Sequence, residues 1–141
     1  YQLLSPSDFG FHNTLLTKDG LMFFDFEYFG WDDPVKLSCD FILHPGMTLT
    51  DDQKKFWLRE MKEIFSDDMS FRDRLIASYC LYGLCWCLIQ LKFFYNRSRE
   101  KRNPTLGIEG ALEGKKTFKL KKSKELLKHL EEVLKFGFPY E

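Results

Sequence analysis

The apolar and polar positions change their spacing several times along the chain, and each change predicts an element. Thr14 to Thr17 and Leu21 to Phe24 are short apolar runs either side of Lys18-Asp19-Gly20, which is the pattern of a β-hairpin. Asp33-Pro34 reads as a helix start, with Asp33 as N-cap and Pro34 in the first helical position, and Pro45-Gly46 stops that helix near His44. Thr50-Asp51-Asp52-Gln53 has capping-box spacing and predicts a second helix to Phe65, while Ser70 caps a third. Leu75 to Leu91 is 17 residues without a charge, at the lower edge of what spans a bilayer. Charges at both ends and polar interruptions such as Ser78 and Gln90 favour the core helix of a helical domain over a membrane span. Asn96 to Gly114 carries Arg, Lys, Asn, Pro and three Gly and reads as a loop. A last helix is predicted over Thr117 to Lys135, where Leu126, Leu127, Leu130, Val133 and Leu134 recur at three and four. The expected fold class is mainly α with one short β-hairpin, followed by four helices.

Composition narrows the picture without redirecting it. The 141 residues are 44% hydrophobic and 17% aromatic, enough for one domain with a true core and too apolar for global disorder. Basic and acidic residues balance at 21 each, so net charge argues for neither nucleic acid nor membrane as partner. The balance hides a basic stripe, since Lys92 to Lys124 holds 11 Lys and Arg against three Glu. Without base-stacking aromatics or a recognition-helix pattern, the stripe reads as a solvated surface. Cys39, Cys80, Cys85 and Cys87 lack zinc-ligand spacing and are expected to be reduced thiols. No signal peptide pattern is visible, so a cytoplasmic location is expected.

Candidate chemistry gathers around the hairpin, with Asp8 and Asn13 before its first strand and Asp25 after its second. A three-residue turn, Lys18 to Gly20, sets Asn13 opposite Asp25 at about 5 Å. A two-residue turn at Asp19-Gly20 shifts the register by one and separates the two. A carboxylate and an amide oxygen are hard ligands suited to Mg²⁺. Asp8 on the preceding loop is then placed to orient an attacking hydroxyl and accept its proton. Each residue taken singly also suits a turn or a strand end, which Asp and Asn favour anyway.

The ordered set Asp8, four residues, Asn13, hairpin, Asp25-Phe26 resembles the catalytic loop and metal-binding segment of protein-kinase-like enzymes. With Glu27-Tyr28-Phe29-Gly30-Trp31-Asp32-Asp33-Pro34 following, it is most similar to the aminoglycoside phosphotransferase and choline kinase superfamily, over residues 3 to 44. The resemblance implies the helical carboxy-terminal lobe of an ATP-dependent phosphotransferase acting on a small-molecule hydroxyl. It implies Asp8 as catalytic base and Asn13 and Asp25 as Mg²⁺ ligands; Glu27 reads either as a contact to a second metal or the nucleotide or as a structural hydrogen bond, and Asp32 either as a contact to a cationic substrate or as a solvated turn residue. On this reading, residues 1 to 33 carry the catalytic loop, hairpin and metal segment, and residues 34 to 141 form the helical subdomain. The glycine-rich loop and strand lysine that grip ATP are absent, so an amino-terminal lobe outside this chain is expected to supply them. There are departures: Pro6 stands where the family has a loop-bracing His, and His12 stands where none is expected and reads as a packing residue. The alternative that Pro6 suggests is a non-catalytic binding domain derived from the same fold.

Overall fold

The structure is a computed structural model that describes residues 1–95 and 109–140. It is mostly helical, with two small antiparallel sheets and four helices among the described residues. The strands are β1 (Leu3–Ser5), β2 (Thr14–Thr17), β3 (Gly20–Phe23) and β4 (Gly30–Asp32). The helices are α1 (Pro34–Leu43), α2 (Asp51–Ile64), α3 (Phe71–Tyr95) and α4 (Glu109–Phe136). Two compact units result: residues 1–82 with 138–141, and residues 83–137.

In the first unit the local signals build what they predict. The Asp33 side chain accepts from the Val35 N–H at 2.8 Å and Pro34 opens α1. Thr50 and Gln53 form a reciprocal capping box at the start of α2. The hairpin forms as well, but with a register that neither sequence reading contains. Thr17 pairs with Gly20, so the turn is Lys18-Asp19, and Gly20 takes φ +122° as the first residue of β3. The Thr17 hydroxyl closes this turn, accepting from the Asp19 N–H at 3.2 Å and donating to the Gly20 carbonyl at 2.9 Å. The second sheet, β1 paired with β4 from Leu3↔Asp32 to Ser5↔Gly30, is an addition to the predicted architecture. It brings the start of the chain beside the segment that enters α1.

The core of this unit lies under α1 and α2 and the first turns of α3, where Val35, Cys39, Phe41, Leu58, Phe71 and Tyr79 are buried. Arg74 fastens the start of α3, donating to Asp68 at 2.7 Å and to the capping carboxylate Asp33 at 3.1 Å. The hydrogen bond from Arg74 holds the Asp68 carboxyl below the usual carboxylate range. By contrast most of the hairpin is uncovered, with Leu15, Leu21 and Met22 exposed and Leu16 at 83%, and only its Thr14 and Phe23 end is packed, through the Phe9 ring.

The second unit holds the later turns of α3 against α4, antiparallel, with Gly83 at Leu130 and Cys87 at Ser123. A Cβ on Gly83 would fall 2.5 Å from Leu130 Cδ2, so only glycine admits that leucine. Ser123 Oγ donates to the Cys87 carbonyl at 3.4 Å, and both residues are buried. Two expectations change here. The last helix starts at Glu109, not Thr117, and runs through Gly110 and Gly114; the rest of the predicted loop, 96–108, lies outside the described residues. Nor is α3 covered all round, because Leu81, Leu88 and Ile89 are more than half exposed. By length and composition α3 could cross a membrane. The four cysteines are free thiols, with Cys39 and Cys87 buried and Cys85 exposed.

Candidate functional site

Residues 6 to 13 form a loop between β1 and β2 whose path is set by side chains from three elements. Lys36 Nζ, from α1, donates to Ser7 Oγ at 3.0 Å and lies 2.8 Å from Asp32 and 2.9 Å from Asp40. All three ammonium hydrogens are thereby used. Burial opposes the charge, but the hydrogen bonds to Asp32 and Asp40 outweigh it and raise the Lys36 pKa. Phe9 anchors the other side of the loop, stacked on Phe23 at 4.8 Å and on Phe41 at 5.8 Å, while Phe41 stacks on Trp57 at 3.9 Å. Such ring pairs add roughly 0.5–1.5 kcal/mol each beyond their burial.

The loop closes on Asp8. Asn13 Nδ2 donates to the Asp8 carbonyl at 3.0 Å and sits 3.5 Å from its Oδ2, and His12 Nε2 donates to Asp8 Oδ1 at 3.0 Å. His44, from the end of α1, stacks flat on His12 at 3.8 Å and brings its own Nε2 to 3.7 Å from Asp8 Oδ1. Gly10 makes this possible, because a Cβ there would meet His12 Nδ1 at 2.7 Å. His12, expected to be a packing residue, is therefore a polar brace of the loop. An imidazole four residues after a carboxylate is the local sequence signal of this brace.

Asp8, His12 and His44 place three possible metal-ligand atoms within 4.8 Å of one another. Their geometry suits hydrogen bonding better than a metal. The two rings are parallel to within 9°, so their in-plane lone pairs do not converge on one ion. The Gly46 N–H also donates to His44 Nδ1 at 3.0 Å, which leaves the hydrogen of the neutral ring on the Nε2 that faces Asp8.

Asn13 and Asp25 do line a common crevice with Pro6, Asp8, Phe24 and Phe26, although it is closed in this structure and too narrow for a water molecule. They are not cross-strand partners, because the Lys18-Asp19 turn sets Asn13 opposite Phe24, whose N–H donates to the Asn13 carbonyl at 3.1 Å. Asp25 follows with φ +65°, a left-handed conformation that costs a non-glycine residue about 1–2 kcal/mol. With its amide nitrogen engaged by Asp8, Asn13 keeps its oxygen free, and the Asp25 carboxylate takes no hydrogen bond or ion pair among the described residues. Two uncommitted hard oxygens, one amide and one carboxylate, beside the Asp8 carboxylate are of the donor type that fits Mg²⁺. Glu27 is exposed and hydrogen-bonds Tyr28, whose pKa this bond raises, with Asp25 and Asp8 adding to the effect. Asp32 is held by Lys36 and accepts from the Asp33 N–H at 2.9 Å, so its carboxylate serves the loop rather than an open surface.

One pH dependence follows from the histidine pair. Burial, then the neighbouring His12, lowers the His44 pKa from 6.5 to about 4, against an opposing pull from Asp8. The unfolded chain thus binds more protons at this group between those values, and its contribution to stability, full above pH 6.5, is lost as pH falls toward 4. Urea midpoints measured across that range should fall on acidification, and His44→Gln should flatten the fall.

No protein-family profile, curated protein or solved structure matches the chain.

Proposed function

We propose that this chain is the helical part of an ATP-dependent phosphotransferase that moves the terminal phosphoryl group to a hydroxyl of a small molecule. The observation that carries the reading is the crevice shared by Asp8, Asn13 and Asp25, in which the amide nitrogen of Asn13 is spent on Asp8 and the oxygens of Asn13 and Asp25 are left over. Asp25 adds a strained backbone, and strain of this kind gathers at functional sites.

On this reading Asn13 and Asp25 hold Mg²⁺, which supplies charge neutralisation at the phosphates. Asp8 accepts the proton of the incoming hydroxyl. Its orientation is fixed by His12 and by Asn13, and the loop beneath it by Lys36 and Phe9. His12 thus takes over a bracing task for which Pro6 has no donor. Groups that grip the nucleotide come from outside residues 1–141, and the exposed apolar side chains Leu16, Phe24, Phe26, Phe29 and Trp31 support an amino-terminal lobe covering this face.

The test is thermal stabilisation of the intact protein by Mg²⁺ with ATP. At 100 times Kd the gain should be about 2.7 kcal/mol, read as a rise in Tm, and Asp25→Ala should abolish it. If Mg²⁺ and ATP give no shift, and Asp25→Ala leaves the protein's binding properties intact, the phosphotransferase reading falls and a binding domain built on the same loop replaces it.

A further inference from the structure

Away from the Asp8 loop, the first unit contains a recess of about 630 Å³ between α2, the start of α3 and the residues after α4. That volume lies within the roughly 300–1,000 Å³ typical of small-molecule sites. The recess shares no residue with the crevice around Asp8. Its floor is apolar and deep, formed by Leu58, Phe71 and Leu75, each no more than 5% exposed. Phe56, Phe138 and Tyr140 also line it. These walls are preorganised: Phe138 and Tyr140 meet edge to face at 5.6 Å, and Lys54 Nζ donates to the Tyr140 hydroxyl at 3.2 Å, pinning the end of the chain to α2.

The polar residues of the lining are unbalanced in charge. Lys55, Arg59 and Lys62 come from one face of α2 and Arg72 from α3, against the single carboxylate of Asp52. Lys55 and Lys62 have no ion-pair partner among the described residues. Arg59 lies 3.1 Å from its neighbour Glu60, an exposed pair of a weak kind, whereas Arg72 lies 3.6 Å from Asp73 and is engaged further, so the cations open to a head group are those of α2. An apolar recess with a cationic lining is complementary to a molecule that has an apolar body and one negative end. The net positive lining attracts an anionic head, of which a carboxylate is the simplest.

We propose that this recess binds a single-chain acyl carboxylate, its tail over Leu58, Phe71 and Leu75 and its head among Lys55, Arg59 and Lys62. The site is independent of the phosphotransferase reading, and its test requires no turnover. Calorimetric titration of the intact protein with dodecanoate, below its micellar concentration, should give one site per chain. Dodecyltrimethylammonium, with the same tail and the opposite charge, should bind at least tenfold more weakly. The double variant Lys55→Glu/Arg59→Glu should weaken dodecanoate at least tenfold, and because both residues are exposed its Tm should stay near that of the unaltered protein. If that pair fails to fold, Lys62→Glu makes the same test from the next turn of α2. Equal binding of the two amphiphiles, non-stoichiometric uptake, or dodecanoate affinity unchanged in a folded charge-reversed variant would overturn the proposal. So would an acidic amphipathic peptide that binds at one to one and excludes dodecanoate, which would make the recess a protein-docking groove.

Discussion

Asp8→Asn in the intact protein should, on the proposed phosphotransferase reading, lower kcat for phosphoryl transfer by about 10²–10⁴, the range for loss of a positioned general base. The amide keeps the size of the side chain and can still face His12 and Asn13, so the loop should stay closed and the stabilisation by Mg²⁺ with ATP should persist. Steady-state kinetics with a hydroxyl acceptor, set beside a melting curve, separates these effects. A fall in kcat with an unchanged nucleotide-induced Tm shift is the expected result. Loss of both together would mean that Asp8 holds the loop and does not act on the hydroxyl.

Phe41→Ala should be the most damaging single substitution to the platform beneath that loop. Phe41 is 6% exposed and touches Trp57, Phe9 and Phe11 through ring contacts at 3.9, 5.8 and 5.8 Å. Removing a buried aromatic ring of this kind costs about 3–5 kcal/mol. That is a large share of the roughly 5–15 kcal/mol that holds a typical domain folded. A urea titration should show the midpoint moved to markedly lower concentration with its slope preserved. An unchanged midpoint would mean that α1, α2 and the loop are held together by something other than this stack.

The parts of the fold that were legible in the sequence are those with local causes. Asp33-Pro34 and the Thr50/Gln53 box act within one helical turn, and both helices begin where those residues place them. The hairpin's existence was equally local, but its register was not. Choosing among the possible turns depended on the Thr17 hydroxyl, which bonds the Asp19 N–H and the Gly20 carbonyl and draws Gly20 into the strand. That shift of one residue is why Asn13 faces Phe24 and why Asp25 reaches the crevice through a left-handed backbone instead of a ladder position. The β1–β4 pair joins strands of three residues about 27 positions apart, with no short-range signal to announce it. Gly110 and Gly114 marked a loop by propensity, a weak prior that the helix overrides.

Of the candidate site, the residue types of Asp8, Asn13 and Asp25 were readable and the brace around them was not. His12 lies beside Asn13 in sequence, yet its role depends on His44, which stacks on it from the far end of α1. Lys36 likewise looks like a solvated helix residue until β4 and the loop bring Asp32 and Ser7 to it. The aromatic stack has a practical corollary as well. Trp57 lies 3.9 Å from Phe41 and 6.1 Å from Phe9, while Trp31 is 70% exposed. Of the three indoles, Trp57 thus sits against rings of α1 and of the Asp8 loop and donates its N–H to the Ser38 carbonyl at 3.3 Å, Trp31 already faces water, and Trp86 lies on α3 in the second unit. With Trp31 and Trp86 replaced by Phe, the emission of Trp57 becomes an optical gauge of that ring stack, its colour reporting whether Phe41 and Phe9 still pack around it.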